Sequence, residues 1–358
     1  MKTKSMFTVL IFIVIISFFA GCNQEKKESS KQVTLTLGAY TVPKEAYQNG
    51  IIPAFKKYWK DKTGEEVKFQ ESYMASGAQS RTIASGFEAD IAALSLEQDV
   101  ENLRKVGLIT HDWKSKKFNG FVSRSLVIMA VRPGSEKTAE IKNWDDLSRL
   151  NLDVIYPSPK TSGGAMWIVN AIYGSGLKEM EKQAGEGETP EQGRSEAFAR
   201  QRLKDIQRLV KVMDKSGRAS VTTFENGFGD VLLTYENEAL LRKKQGKVFP
   251  FIIPESTILI ENPIALIDKN VDKHGNREVA EAFVAFTISP QGQQFFAEYG
   301  FRSVDPEIAV KYAEKFPEPP LLFDMNYLGG WEKVTKLLYG SEGIWTAIVQ
   351  ELADESNR

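Results

Sequence analysis

The chain has 358 residues, 42% of them hydrophobic, with 46 Lys and Arg set against 47 Asp and Glu for a net charge of -1. That balance lacks the basic excess expected of a nucleic-acid binder, and the only two histidines, His111 and His274, lie too far apart in sequence to suggest a histidine metal cluster. The single cysteine, Cys22, leaves no internal disulfide, so stability must come from a core.

In chain order, "MKTKSMFTVLIFIVIISFFAGCNQ" opens with lysines, runs apolar from Met6 to Phe19 and ends in small residues before Cys22. This is the layout of a secretory signal over residues 1–21 rather than of a spanning helix, so the remainder is expected outside the cytoplasm. Phe19-Ala20-Gly21-Cys22 resembles a bacterial lipobox, which implies lipidation of Cys22 and attachment to a membrane surface. Residues 22–32 are polar and without periodicity, as in a flexible tether. Folding is expected to begin near Val33, with enough chain left for two modest domains or one large one.

"VTLTLGAY" alternates apolar residues as a strand does, and Tyr47, Ile51, Phe55 and Trp59 then recur at helical spacing, with Pro53 as a kink and Gly64 as the stop. A strand at "EEVKFQES", a helix at "SRTIASGFEA" and a short strand at "DIAALS" follow. The alternation continues through "QDVENLRKVG", "SLVIMAVRPG", "IKNWDDLSRL" and "LDVIYPSP", which predicts an α/β protein with a mainly parallel sheet. Residues 178–197 lose apolar periodicity and gather charge, glycine and proline, so they are expected to form a surface excursion. Helical spacing returns from Phe198 to Met213, and "DVLLTYENEALLRKKQG" predicts a buried strand entering a helix. "KVFPFIIP" and "NPIALIDK" supply further strands, and the helix-rich C-terminal part is expected to pack on the early strands.

The chemistry concentrates in "SPKTSGGAMW", residues 158–167, where a strand gives way to a helix through Ser162, Gly163 and Gly164. Such a turn bares amide N–H groups at the positive end of a helix dipole, the outline of an anion site. A phosphate-binding P-loop would place its lysine after the glycines, whereas Lys160 precedes them. A nucleophilic Ser162 would want G-x-S-x-G and a base, and neither histidine stands in a suitable context. The plain alternative is a helix cap with turn glycines. "YMASGAQSR" (Ser76, Gly77) and "MDKSGRAS" (Ser216, Gly217) repeat the device. Glu236 and Glu238 in "YENEA" fit ordinary acids at a helix start, and Trp59, Trp113, Trp144 and Trp167 fit packing, with Trp167 bracing the helix after the glycines.

From Val33 to beyond Asp305 the chain resembles the bacterial sulfate-binding proteins, the solute receptors of ATP-driven (ABC) sulfate and thiosulfate importers. "KTGEEVKFQES", "SPKTSGGAMW", "GFGDVLLTYENEA" and "SPQGQQFFAEYGFRSVD" carry the likeness, although Met166 stands where the family usually has arginine. The resemblance implies a type II periplasmic-binding-protein fold of two α/β lobes, one from 33–126 plus 255–358 and one from 127–254, with an anion shut between them. It implies a ligand shell of neutral donors: main-chain N–H groups of Thr41, Ser76, Gly163, Gly164 and Gly217, the Ser162 hydroxyl, and Tyr235. Thr41 replaces the family's aspartate and Tyr235 its tryptophan. An amide donor survives the first change, while the phenol of Tyr235 can accept as well as donate, which loosens the case for sulfate over phosphate-like anions. A monomer with a membrane permease as partner, no enzymatic activity, no metal and no cofactor are the corresponding expectations. The same fold binding molybdate, tungstate or a phosphorus oxyanion, or serving a sensor, is one alternative. An exported serine hydrolase is another, and covalent labelling of Ser162 by a serine-reactive probe would mark it.

Overall fold

The computed structural model describes residues 31–185 and 191–357. The signal segment, Cys22 and most of the tether lie outside the described residues.

Strands β1 (Gln32–Tyr40), β2 (Glu66–Met74) and β3 (Ile91–Ala93) are mutually parallel, with β1 between the other two. Strands β5 (Val154–Ile155), β6 (Val210–Val212) and β7 (Val231–Tyr235) form a second parallel group with β5 in the middle. Between the groups run two long antiparallel strands, β4 (Phe121–Val131) and β9 (Ser256–Leu266). β4 pairs with β9 up to Leu126 and with β7 from Val127 onward, and β9 reaches β3 at Ile264–Leu266. Two short strands, β8 (Phe251–Ile252) and β10 (Leu321–Phe323), add to β4 and β9. The sheet is therefore mixed, parallel within each group and antiparallel where the long strands cross. A strand that runs back between two parallel groups can join them only in that sense.

The first apolar stripe forms a continuous helical rod from Lys44 to Thr63, with a wider turn at Tyr47–Ile51 absorbing Pro53 in place of a break. Gly64 ends it with φ 76°, a left-handed conformation that costs an ordinary residue energy. Its buried Phe55 meets Phe283 edge-on at 5.1 Å and Phe69 at 6.1 Å, which fixes helix Arg277–Thr287 over the first strand group.

Three expectations change. Helix Gly163–Ala184 runs well into the segment read as an excursion, and a second helix occupies Gln192–Arg208. Burial of Met180 shows why: one apolar contact per turn sustains a helix that charge alone would have placed in solvent. The helical spacing read through Met213 stops at Arg208, because Val210–Val212 pairs with β5. The C-terminal part also divides. Helix Arg277–Thr287 lies on the first group, but Trp331 stacks edge-on at 4.8 Å on Trp167, and Trp345 donates from Nε1 to the Tyr156 hydroxyl at 3.2 Å. Helix Ile344–Ser356 holds Lys204 and Arg208 through Glu351 and Glu355. The stretch expected to pack on the early strands thus sends its last helices onto Tyr156, Trp167, Lys204 and Arg208.

Candidate ligand-binding site

In open α/β sheets ligands gather beyond the carboxyl ends of parallel strands, where chains turn into helices. Here β1 ends at Tyr40 and Thr41, β2 at Ala75 and Ser76, β3 just before Ser95, β5 before Pro157 and Ser162, and β7 at Tyr235. All of these residues, with Gly217 at the start of helix Gly217–Glu225, line one pocket. Six of the seven sequence-predicted positions are in its wall: Thr41, Ser76, Ser162, Gly164, Gly217 and Tyr235. No lining residue carries a charged side chain.

Three helices begin at this wall, at Ser76, Gly163 and Gly217. The amides of a first helical turn have no carbonyl partner in their own helix, so each start presents free N–H groups. The neighbouring side chains are already committed. Ser216 Oγ accepts from Ala219 N at 3.2 Å as the cap of its helix. Ser76 Oγ donates to Asp99 Oδ2 at 2.5 Å and accepts from Ser95 N at 2.8 Å, which leaves only the backbone of Ser76 for a ligand. Ser162 differs: it is buried, yet its hydroxyl makes no cap bond to the helix it precedes.

Gly163 is the seventh predicted position, and it sits behind the wall. A Cβ there would lie 2.8 Å from Leu96 Cγ and 2.9 Å from Ser95 Oγ. Its missing side chain lets the helix start seat directly against the turn after β3. Trp167, one turn further on, donates from Nε1 to Ser95 O at 3.0 Å, the bracing role expected of it.

Ser95 is the residue that sequence reasoning missed. Its amide holds Ser76, its carbonyl takes Trp167 and Asn262 Nδ2 (3.1 Å), and its hydroxyl lies 2.7 Å from the Tyr235 hydroxyl. "ALSLEQD" has no glycine and no motif. The available signal was position, a small polar residue directly beyond a buried parallel strand.

Around the pocket stands a charged clasp. Arg218, next to Gly217, donates to Glu45 Oε1 (2.6 Å) and Oε2 (2.9 Å), to Val42 O (3.3 Å) and to Glu238 Oε1 (3.2 Å). Burial pulls the Glu45 carboxyl upward, but the Arg218 guanidinium overcomes it and holds the group below its ordinary range. Glu238 also pairs with Arg242, and Glu236 pairs with Arg302 at 2.7 Å, so both acids are spent on arginines. His111 is bonded to Asp268 and His274 to Asp90, and neither lines the pocket, so Ser162 has no imidazole beside it. Among the described residues no cluster of His, Cys, Asp and Glu is arranged to hold a metal.

Asp99 lies behind this wall, bonded to Ser76. Burial raises its carboxyl to about 6, against the lowering bond from Ser76. A carboxyl with a raised native pKa binds its proton more tightly folded than unfolded, so its contribution to stability increases as pH falls through about 6 and levels off near the unfolded value. Asp99→Asn, which can still accept from Ser76, is expected to stabilise the protein at pH 8 by up to about 2–3 kcal/mol. The difference between variant and parent should vanish by pH 4, as followed by urea unfolding.

The model of the bacterial extracellular solute-binding proteins matches residues 35–302. The chain belongs to that family. Among its curated relatives, the sulfate-binding protein of Synechococcus elongatus is 37% identical over 344 residues, 95% of this chain and 94% of that one. The thiosulfate-binding protein of Escherichia coli is 34% identical, covering 85% of this chain and 88% of its own length. Among solved structures, the sulfate-binding protein SubI of Mycobacterium tuberculosis superposes with a TM-score of 0.75 at 34% identity, over 86% of this chain and 99% of that one. This solute-binding protein accordingly has the type II periplasmic-binding fold, and its pocket lies where the two parallel strand groups face each other across β4 and β9.

Proposed function

We propose that the protein is an extracytoplasmic receptor that binds sulfate or thiosulfate and delivers it to an ABC permease. The observation that carries this reading is the pocket wall: three helix starts and a free serine hydroxyl converge on one buried space with no charged side chain in contact. A fully deprotonated dianion suits such a wall, because its oxygens only accept and nothing in the wall needs a proton from the ligand. The sulfate- and thiosulfate-binding relatives support the same ligand class.

Donors to the anion are Ser162 through its hydroxyl, Thr41, Ser76, Gly164 and Gly217 through their amides, and Tyr235 at the edge. Gly163 contributes its amide while seating the helix on Ser95. One lobe comprises residues 33–126 with about 255–322, and the other 127–254 with the C-terminal helices. The present arrangement is the closed one, since Arg218 with Glu45 and Trp167 with Ser95 bridge the lobes over the pocket. Cys22 carries the lipid anchor, the receptor works as a monomer, and it catalyses no reaction.

Calorimetry with sulfate tests this reading and is expected to give 1:1 binding and a raised melting temperature. Ser162→Ala removes one charge-assisted bond of about 1.5–3 kcal/mol, and so weakens sulfate roughly tenfold to a hundredfold. An unchanged dissociation constant for that variant would exclude Ser162 as a donor.

A further inference from the structure

We propose that the Ser95 and Tyr235 hydroxyls act as a paired donor and acceptor in the pocket wall, and that the site therefore takes singly protonated tetrahedral oxyanions, of which hydrogen phosphate is the simplest, alongside sulfate. The inference rests on the anion-receptor reading above and names a further ligand class for the same site.

Both residues line the pocket and both are buried, Ser95 at 0% and Tyr235 at 2% exposure. Their oxygens lie 2.7 Å apart in a bond that either can donate. Two hydroxyls sharing one bond spend one proton between them and keep one. The oxygen that donates within the pair retains lone pairs, and the oxygen that accepts retains a proton for a third group. Rotation about the two C–O bonds exchanges these roles without moving a heavy atom. Burial pushes the Tyr235 phenol well above its ordinary range, so the pair stays neutral and works by rotation rather than by charge.

The other groups assigned to the ligand are the amides of the helix starts, which can only donate, and the Ser162 hydroxyl, which cannot accept from the ligand oxygen it donates to, so away from Ser162 the rest of the wall offers donors alone. A wall of donors alone rejects an X–O–H group, because the ligand's proton would be buried without an acceptor. The pair supplies that acceptor. Its place is fixed by the backbone of Ser95, whose amide and carbonyl are bonded to Ser76, Trp167 and Asn262, so the acceptor is held at the wall.

The test is calorimetric titration at pH 8 of the whole protein with sodium sulfate and, separately, sodium phosphate, for the parent, Ser95→Ala, Tyr235→Phe and the double variant. The parent is expected to bind both anions. The double variant is expected to lose at least about tenfold more affinity for phosphate than for sulfate, with the single variants between. A cooperative urea unfolding transition reports that each variant is folded, and should the double variant not fold, the single variants carry the comparison. A parent that binds sulfate but not millimolar phosphate would overturn the inference and leave the sulfate reading standing. So would variants that weaken both anions equally. Binding of neither anion by the parent would overturn both.

Discussion

Glu238→Ala is expected to lower the free energy of unfolding by about 3–5 kcal/mol, the usual cost of leaving buried charge without its partner. Glu238 is fully buried, Arg242 is 4% exposed, and the carboxylate lies between Arg242 and Arg218. Arg218 keeps Glu45 after the change, but Arg242 retains only Glu225, with 3.6 Å between charged atoms. The uncompensated guanidinium must then draw in water or displace helix Glu236–Lys244, which follows directly from Tyr235. Urea unfolding at pH 7.5 checks this: the midpoint should fall with little change in slope, and Glu238→Gln should lose less because it keeps the shape and one acceptor. A midpoint within experimental error of the parent would show that the cluster is solvated.

Gly163→Val is expected to act on ligand affinity more than on stability. The new Cβ would meet Leu96 Cγ and Ser95 Oγ inside 3 Å, and Ser95 cannot step aside while Ser76, Trp167, Asn262 and Tyr235 hold it. Overpacking of this kind costs about 1–3 kcal/mol. On the lobe division proposed above, residue 163 and Ser95 face each other across the cleft, so the strain would fall on the closed arrangement and be relieved on opening. Sulfate affinity should therefore drop by roughly 5-fold to 150-fold while the unliganded protein melts near the parent temperature. An equal loss of stability without ligand would place the clash in both arrangements.

These two positions mark how far the sequence was legible. The strands before each glycine-bearing turn could be read from apolar alternation, and the turns from serine and glycine, because both signals are local. Thr41, Ser76, Ser162, Gly164, Gly217 and Tyr235 reach one pocket because each lies at the carboxyl end of a strand of a parallel group or in the turn that follows it. Ser95 carries no local mark: its importance comes from partners at positions 76, 167, 235 and 262, separations no window spans. The same limit explains the division of the C-terminal part. Trp331 and Trp345 announce burial, but only the folded chain shows that their partners are Trp167 and Tyr156. Gly163 was legible as bare backbone, and the close approach to Ser95 that also requires a glycine there was not.

The bonds on Ser95 also bear on time. On the proposed lobe division, the Trp167 indole and the Tyr235 hydroxyl both reach it from the opposite lobe, while its own amide holds Ser76 in the wall. Parting the lobes must break the first two together, and the Arg218 clasp with them. For an anion bound as proposed, release would follow that concerted step, and its residence time would be set by how often the lobes part rather than by how strongly any one donor holds it. Ligands of quite different affinity would then share similar dissociation rates and differ mainly in how readily they draw the lobes shut.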